Sequence, residues 1–259
     1  MSQPHSNARA TASDFERTYG FPRAWITALN VFAYVFVIAG GWGLAFQETH
    51  HFTFRLMTAE HGPVELGSAI AWLVASIVSA RLALRAHRHG ESKLVVVTYA
   101  AFAFAAFMAM GEEISWGQAL FYYNTPFGLR NVNEQGEFNF HNLPGVMELN
   151  SVFLLGYGIA GLVGIGVRRV SALRKIAVPS ALAPLFVWIT IMGALASIVD
   201  FFLIQYAFDM IVGVLTEAVE MLMGFAAVAY IVMNTRMLER EWRAAGAGVP
   251  RADTVSASR

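Results

Sequence analysis

Two glutamates, Glu112 and Glu113, stand side by side at the end of an apolar run, Leu94 to Met110, that carries no charge. Two more, Glu217 and Glu220, are three residues apart inside another apolar run, which puts them on one face of a helix. His141 lies between these pairs in the sequence, in an asparagine-rich segment. Carboxylates and an imidazole can exchange protons with a substrate as general acid and base. An oxygen-rich set completed by a histidine nitrogen also suits zinc, iron or manganese, whose bound water would be a hydrolytic nucleophile. Glu112, Glu113 and His141 are therefore candidate catalytic groups, and Glu113, His141, Glu217 and Glu220 candidate metal ligands. Gln118, Trp116, Asp200, Glu60, Glu65 and Asn142 are candidates for a supporting role.

Each candidate has a plainer reading. Trp116 suits the aromatic belt of a membrane interface. Asp200 could make a helix-end hydrogen bond, and His50-His51 suit a solvated turn. His141 alone would be an ordinary loop histidine. Glu217 and Glu220 are the hardest to explain away, because neither an interface nor bulk solvent accounts for them.

The elements that must position these residues are membrane helices. The chain has 259 residues, 56% hydrophobic and only 14% charged, against about 25% charged in a soluble domain. The apolar residues come in blocks near the length of a membrane span. Six spans are expected at 25–46, 64–86, 94–122, 149–167, 178–206 and 209–234, an all-α bundle. Residues 1–24 read as a disordered cytoplasmic tail that is not a cleavable signal peptide, and 235–259 as a second tail. Gly156, Ala160 and Gly164 form a small-residue stripe that reads as helix packing.

Charge orients the bundle. Of 18 Lys and Arg, 16 fall on the side of the termini, and only Arg55 and Arg130 fall on the other. The positive-inside rule then places both termini in the cytoplasm. Twelve of the 18 acids collect on the opposite, outer side. Glu112 lies roughly 27 Å along its span from Leu94, and Glu217 and Glu220 roughly 12 to 16 Å deep from the outer side. A charged residue at mid-span costs about 2.5–3.5 kcal/mol on the insertion scale. With no Lys or Arg nearby in sequence, three arrangements would relieve the cost: protonation, hydrogen bonds to polar side chains, or a shared cation.

The outer connection at 123–148 is long for a loop without periodicity, which favours a functional role. Its Phe127, Phe138, Phe140 and His141 suit a packed cap over the acidic mouth, with Asn131, Asn133, Gln135, Asn139 and Asn142 to orient polar groups.

EHGPVE at 60–65, GEEISWGQALF at 111–121, TP at 125–126 and NVNEQGEFNFHNL at 131–143 resemble a pattern of uncharacterised bacterial multi-pass membrane proteins. That resemblance covers about half the chain, implies an inner-membrane family and implies no reaction. A fainter similarity is to the CAAX-protease and bacteriocin-processing intramembrane peptidases, whose Glu-Glu pair matches Glu112-Glu113. Their arginine four residues later is Gly117 here. The residues four before and four after His141 are Glu137 and Gly145, where that family has Phe and Asn.

The functional expectation is an outward-facing, acid-rich intramembrane site, with metal-dependent chemistry on a lipid or membrane peptide. The alternatives are a proton- or cation-coupled transporter, or a non-catalytic membrane partner. The absence of cysteine excludes disulfides and thiolate chemistry. Nucleic-acid binding has no support, since the basic segments are short and explained by topology.

Overall fold

The computed structural model describes residues 14–58, 62–121, 123–126, 128–133, 136–146, 149–202 and 206–247. The regular structure among these residues is helical, with no strand. Nine α-helices run in chain order as α1 (Asp14–Tyr19), α2 (Ala24–Ala45), α3 (Gln47–Thr58), α4 (Pro63–Arg88), α5 (Lys93–Glu113), α6 (Gln118–Phe121), α7 (Asn150–Gly166), α8 (Ala183–Phe202) and α9 (Tyr206–Ala247) among the described residues. Six are long and apolar enough to cross a membrane: α2, α4, α5, α7, α8 and α9. Large apolar side chains such as Val35, Ile38, Phe104, Val163 and Ile191 are exposed around the outside of the bundle. Such an apolar perimeter fits hydrocarbon surroundings.

Local chemistry accounts for the helix ends. Pro63 opens α4 at a position where its missing N–H costs nothing, with Glu65 in the first turn. At the other end Arg85, His87 and Arg88 occupy the last turn. The chain then closes with Glu91 N–H on the Ala86 carbonyl and Gly90 in the left-handed region. Ser92 caps α5 by accepting from Val95 N–H. This tight hairpin sets α4 and α5 against each other.

The last helix is the shaft of the bundle. α4, α8, α2, α1, α3 and α7 all pack on α9, which is roughly 63 Å long at 1.5 Å per residue. It continues past the expected end at 234 to Ala247 and receives α1, so segments read from sequence as tails contribute helix to the bundle. α7 and α8 cross closely because glycines line the contact. A Cβ on Gly161 would lie 1.9 Å from the Phe186 ring, and one on Gly193 2.4 Å from Leu155 N. Gly158 and Gly161 make this crossing, whereas Gly156 of the expected stripe faces open space.

The bundle has two chemically distinct ends. At one, Lys175 donates to both oxygens of Glu91 at 2.6 and 2.7 Å, and Trp242 donates to Glu91 at 2.8 Å. Arg174 pairs with Glu241 at 2.9 Å, Arg85 with Glu239, and Arg168 bonds the Tyr19 hydroxyl at 2.7 Å. Burial alone would push the Glu91 carboxyl up, but its bonds to Lys175 and Trp242 outweigh that and hold it below the ordinary carboxylate value. The other end gathers Glu65 at the start of α4, Glu113 at the end of α5, Asn150 at the start of α7, and Glu217 and Glu220 on α9.

Candidate functional site

Span three stops earlier than the expected residue 122. α5 ends at Glu113, and Ser115–Gly117 form a 3-10 turn. Ser115 (φ 46°), Trp116 (φ 56°) and Gly117 (φ 90°) are three consecutive left-handed residues. Only glycine takes that conformation without cost, and runs of it in other residues mark stored strain, commonly at functional sites. The turn folds the Trp116 ring back on Gly111, where a Cβ would lie 2.9 Å from the ring. Tyr123 braces the turn by donating to the Trp116 carbonyl at 3.1 Å.

The reversal splits the two glutamates. Glu112 turns to the connection between α6 and α7. Its Oε1 accepts from the Trp116 indole at 2.8 Å, and its Oε2 from the backbone N–H of Phe140 at 2.6 Å and of His141 at 3.1 Å. The His141 ring nitrogen Nδ1 is 3.4 Å from the same Oε2. Glu113 turns into the bundle, where Ser68 of α4 donates to it at 2.8 Å. Its carboxylate is in electrostatic range of Glu220, Glu217 and Glu65. Glu220 accepts from the Asn150 amide at 2.8 Å. Glu217 lies in range of Glu220 and Glu65, and no hydrogen bond reaches it from the described residues. Glu113, Glu217 and Glu220 each keep part of their surface accessible.

His141 joins the two halves. The imidazole feels Glu112, Glu220 and Glu137 at once. Burial pulls its pKa down, but the hydrogen bond to Glu112 and the three negative charges outweigh burial, and the net shift is upward from 6.5. With 42% of its side chain exposed, the ring remains reachable.

The cap over the acids is a polar lattice. Ser115 donates to Glu137, and Asn139 donates to Ser115 at 3.1 Å and to Glu137 at 3.0 Å. Asn133 donates to Asn139 Oδ1 at 2.8 Å, and its own oxygen accepts from Glu137 N–H at 3.1 Å. Gln118 ties the near and far ends together, donating to Thr125 at 2.9 Å and accepting from Phe138 N–H at 2.7 Å. Asn133, Asn139 and Asn142 are buried. Buried amides satisfied this way define one conformation.

The structure thus brings together Glu112, Trp116, Gln118 and His141 at the cap, and Glu113, Glu217, Glu220 and Glu65 below it. Asp200 stays apart: it is exposed near the end of α8, with no hydrogen bond or ion pair among the described residues. Glu60 lies outside the described residues, as do Phe127 and Gln135. His50 sits on α3 against the Phe54 ring. Trp116, a supporting candidate, donates to the Glu112 carboxylate. Ser68 and Asn150, which fasten Glu113 and Glu220, were not singled out from sequence. The signal for Ser68 was its place three residues after Glu65, on the same face of α4.

The set Glu113, His141, Glu217 and Glu220 is not gathered as a metal-ligand group: among the described residues no three His, Asp or Glu side chains converge to hold an ion. The arrangement offers an oriented, accessible imidazole on Glu112, in electrostatic range of Glu220, groups that can exchange protons. No family model, curated protein or solved structure matches the chain.

Proposed function

We propose that this chain is a bacterial inner-membrane enzyme with both termini in the cytoplasm, acting by acid–base chemistry on a lipid or membrane-inserted peptide. The orientation is supported by the Lys and Arg residues that cluster at the end carrying Glu91, Lys175 and Trp242. The acid cluster then opens on the outer side. The observation that carries the catalytic reading is the division between neighbours: Glu112 positions His141, and Glu113 lines the acid cluster that His141 faces. In this reading His141, held through Nδ1 by Glu112, exchanges a proton with the substrate. Glu113 and Glu220, fixed by Ser68 and Asn150, supply or accept the second proton.

The test compares lipid and membrane-peptide profiles of cells carrying the wild type, Glu113→Gln or His141→Ala. The proteins must be matched for membrane level and thermal midpoint. A species converted by the wild type and by neither variant supports the enzyme. Identical profiles from folded proteins remove it.

One observation favours a second reading, a proton- or cation-coupled carrier or a cation-binding partner protein. Glu217 has no hydrogen-bond donor among the described residues, and carboxyls grouped in a membrane need protons or a cation. Equilibrium dialysis and elemental analysis of the purified protein, wild type beside Glu217→Gln, separate this reading from the first.

A further inference from the structure

A wide apolar groove lies on the opposite face of α9 from the α7–α8 pair. α2 and α4 both pack on α9 but scarcely touch each other. The gap between them is floored by Phe225 and Val232 of α9 and walled by Trp25 and Leu29 of α2 and Ile70 and Val74 of α4. Its volume is about 700 Å³, and the lining is almost wholly apolar. That volume suits a small-molecule ligand.

The ends of the groove differ in charge. Along α9 the floor residues share a helical face with Arg236, which follows Val232 by four residues. Arg23 stands just before α2, two residues from Trp25. Both arginines are exposed, and neither has an acidic partner among the described residues. Neighbouring cations at this end are already engaged: Arg240 holds the backbone of Arg17 at 2.7 Å, Arg174 pairs with Glu241, and Lys175 with Glu91. From Phe225 to Met233 the floor rises roughly 12 Å, close to the ~15 Å of one hydrocarbon leaflet. At the far end Gly67 abuts Met221, whose sulfur would lie 3.0 Å from an added Cβ.

We propose that the α2–α4–α9 groove holds a hydrocarbon chain of an anionic phospholipid from the leaflet at the basic end, with the phosphate of that lipid at Arg23 and Arg236. This site is separate from the acid cluster and rests on the membrane reading alone, not on the enzyme. The chain fills a gap that the helices leave open. The two arginines select the head group, each contributing about a fivefold preference for negative charge.

The test is native mass spectrometry of delipidated protein in detergent, titrated separately with phosphatidylglycerol and phosphatidylcholine. The wild type should retain one lipid and favour phosphatidylglycerol roughly 25-fold, which the Arg23→Gln/Arg236→Gln double variant should reduce to about twofold or less. Arg169→Gln, at an exposed arginine three residues past α7, should leave the preference unchanged. Ile70 and Val74 are exposed in the groove wall, 53% and 39%, so Ile70→Trp/Val74→Trp fills the groove without crowding the core. It should lose both lipids. Wild-type lipid binding by the folded double-tryptophan variant overturns the proposal. So does a head-group preference that ignores Arg23 and Arg236. A change in oligomeric mass on filling the groove, with lipid binding intact, would reassign the groove to a protein contact. If the double-tryptophan variant does not fold, photolabelling of the wild type decides. Phosphatidylglycerol with a diazirine in its chain should mark α2, residues 67–74 of α4 and residues 225–233 of α9. Adducts scattered over α5 and α7 refute the site.

Discussion

Replacing Glu112 by Gln should release the cap while leaving the spans in place. Among the described residues Glu112 is the sole acceptor for three donors: the Trp116 indole on one oxygen, and the Phe140 and His141 amides on the other. Glutamine keeps the shape but has one oxygen and one NH₂ group, so one side of the side chain must turn a donor toward a donor. If the amide oxygen serves the cap, the indole is orphaned. If it serves the indole, two backbone amides are orphaned. An orphaned donor costs about 1–3 kcal/mol, and hydrogen bonds that lose a charged acceptor weaken by roughly 1 kcal/mol each. The side chain is only 19% exposed, so water compensates little, and the sum is roughly 2–4 kcal/mol. Converted at 1.4 kcal/mol per decade, this is roughly thirty- to several-hundred-fold faster opening. Hydrogen–deuterium exchange of residues 136–146 in detergent reads it directly, with α4 and α9 as internal references. Exchange at Phe140 and His141 should rise by that factor, or reach the unprotected rate if the cap itself opens more easily. Rates within about twofold of wild type would refute the claim that Glu112 fastens the cap.

Three other outcomes follow from the same geometry. Because the folded-state pKa of His141 is raised, chiefly by Glu112 once burial is overcome, its contribution to cap stability is complete below about pH 6.5 and is lost as pH rises through the elevated value; exchange of the cap measured from pH 5 to 9 should show this, and Glu112→Gln should flatten it. Gly111→Ala drives a methyl into the Trp116 ring at 2.9 Å and should lower stability by about 1–3 kcal/mol, read as a lower thermal midpoint. The chain has no cysteine, so single cysteines at the exposed positions Asn131 and Ser171 report topology: a membrane-impermeant maleimide should label Asn131→Cys in intact cells and Ser171→Cys only after the membrane is opened, and the reverse pattern would invert the orientation.

The spans were legible because apolar runs of the right length have few other uses. The starts of α2, α4, α5 and α7 fall within a residue of the sequence expectation, and α9 within three. Helix ends governed by local polar chemistry were harder to see. α9 continues beyond 234 because Glu239 and Glu241 find Arg85 and Arg174 on other elements, a tertiary pairing that no periodicity announces. At the site, residue types were legible and their partners were not. Glu113, Glu217 and Glu220 stood out as acids in apolar runs. The fact that Ser68 and Asn150 hold two of them depends on the packing of α4 and α7 against their neighbours. Trp116 was a supporting candidate whose plainer reading was a membrane belt; its bond to the Glu112 carboxylate depends on the left-handed turn, which no sequence pattern announces.

That turn explains why two acids are adjacent. Had α5 run on to residue 122, its end would stand about 13 Å further along the helix axis, and the connection to α7 would begin beyond reach of Glu220. Successive helical residues point about 100° apart, so neighbours at a helix end address different surroundings. With the helix stopped at Glu113, one carboxylate faces the interior and the other faces the returning chain. The left-handed residues bring that chain back, and non-glycine residues in this region cost about 1–3 kcal/mol each. The bonds from Tyr123 to the turn carbonyls, from Trp116 to Glu112, and among Ser115, Glu137 and Asn139 offset that strain. A structure that needed only a loop here could have used a relaxed one. The strained turn leaves the His141 imidazole beside the Glu112 carboxylate and in electrostatic range of Glu220 on α9, the juxtaposition on which the proposed proton transfer rests.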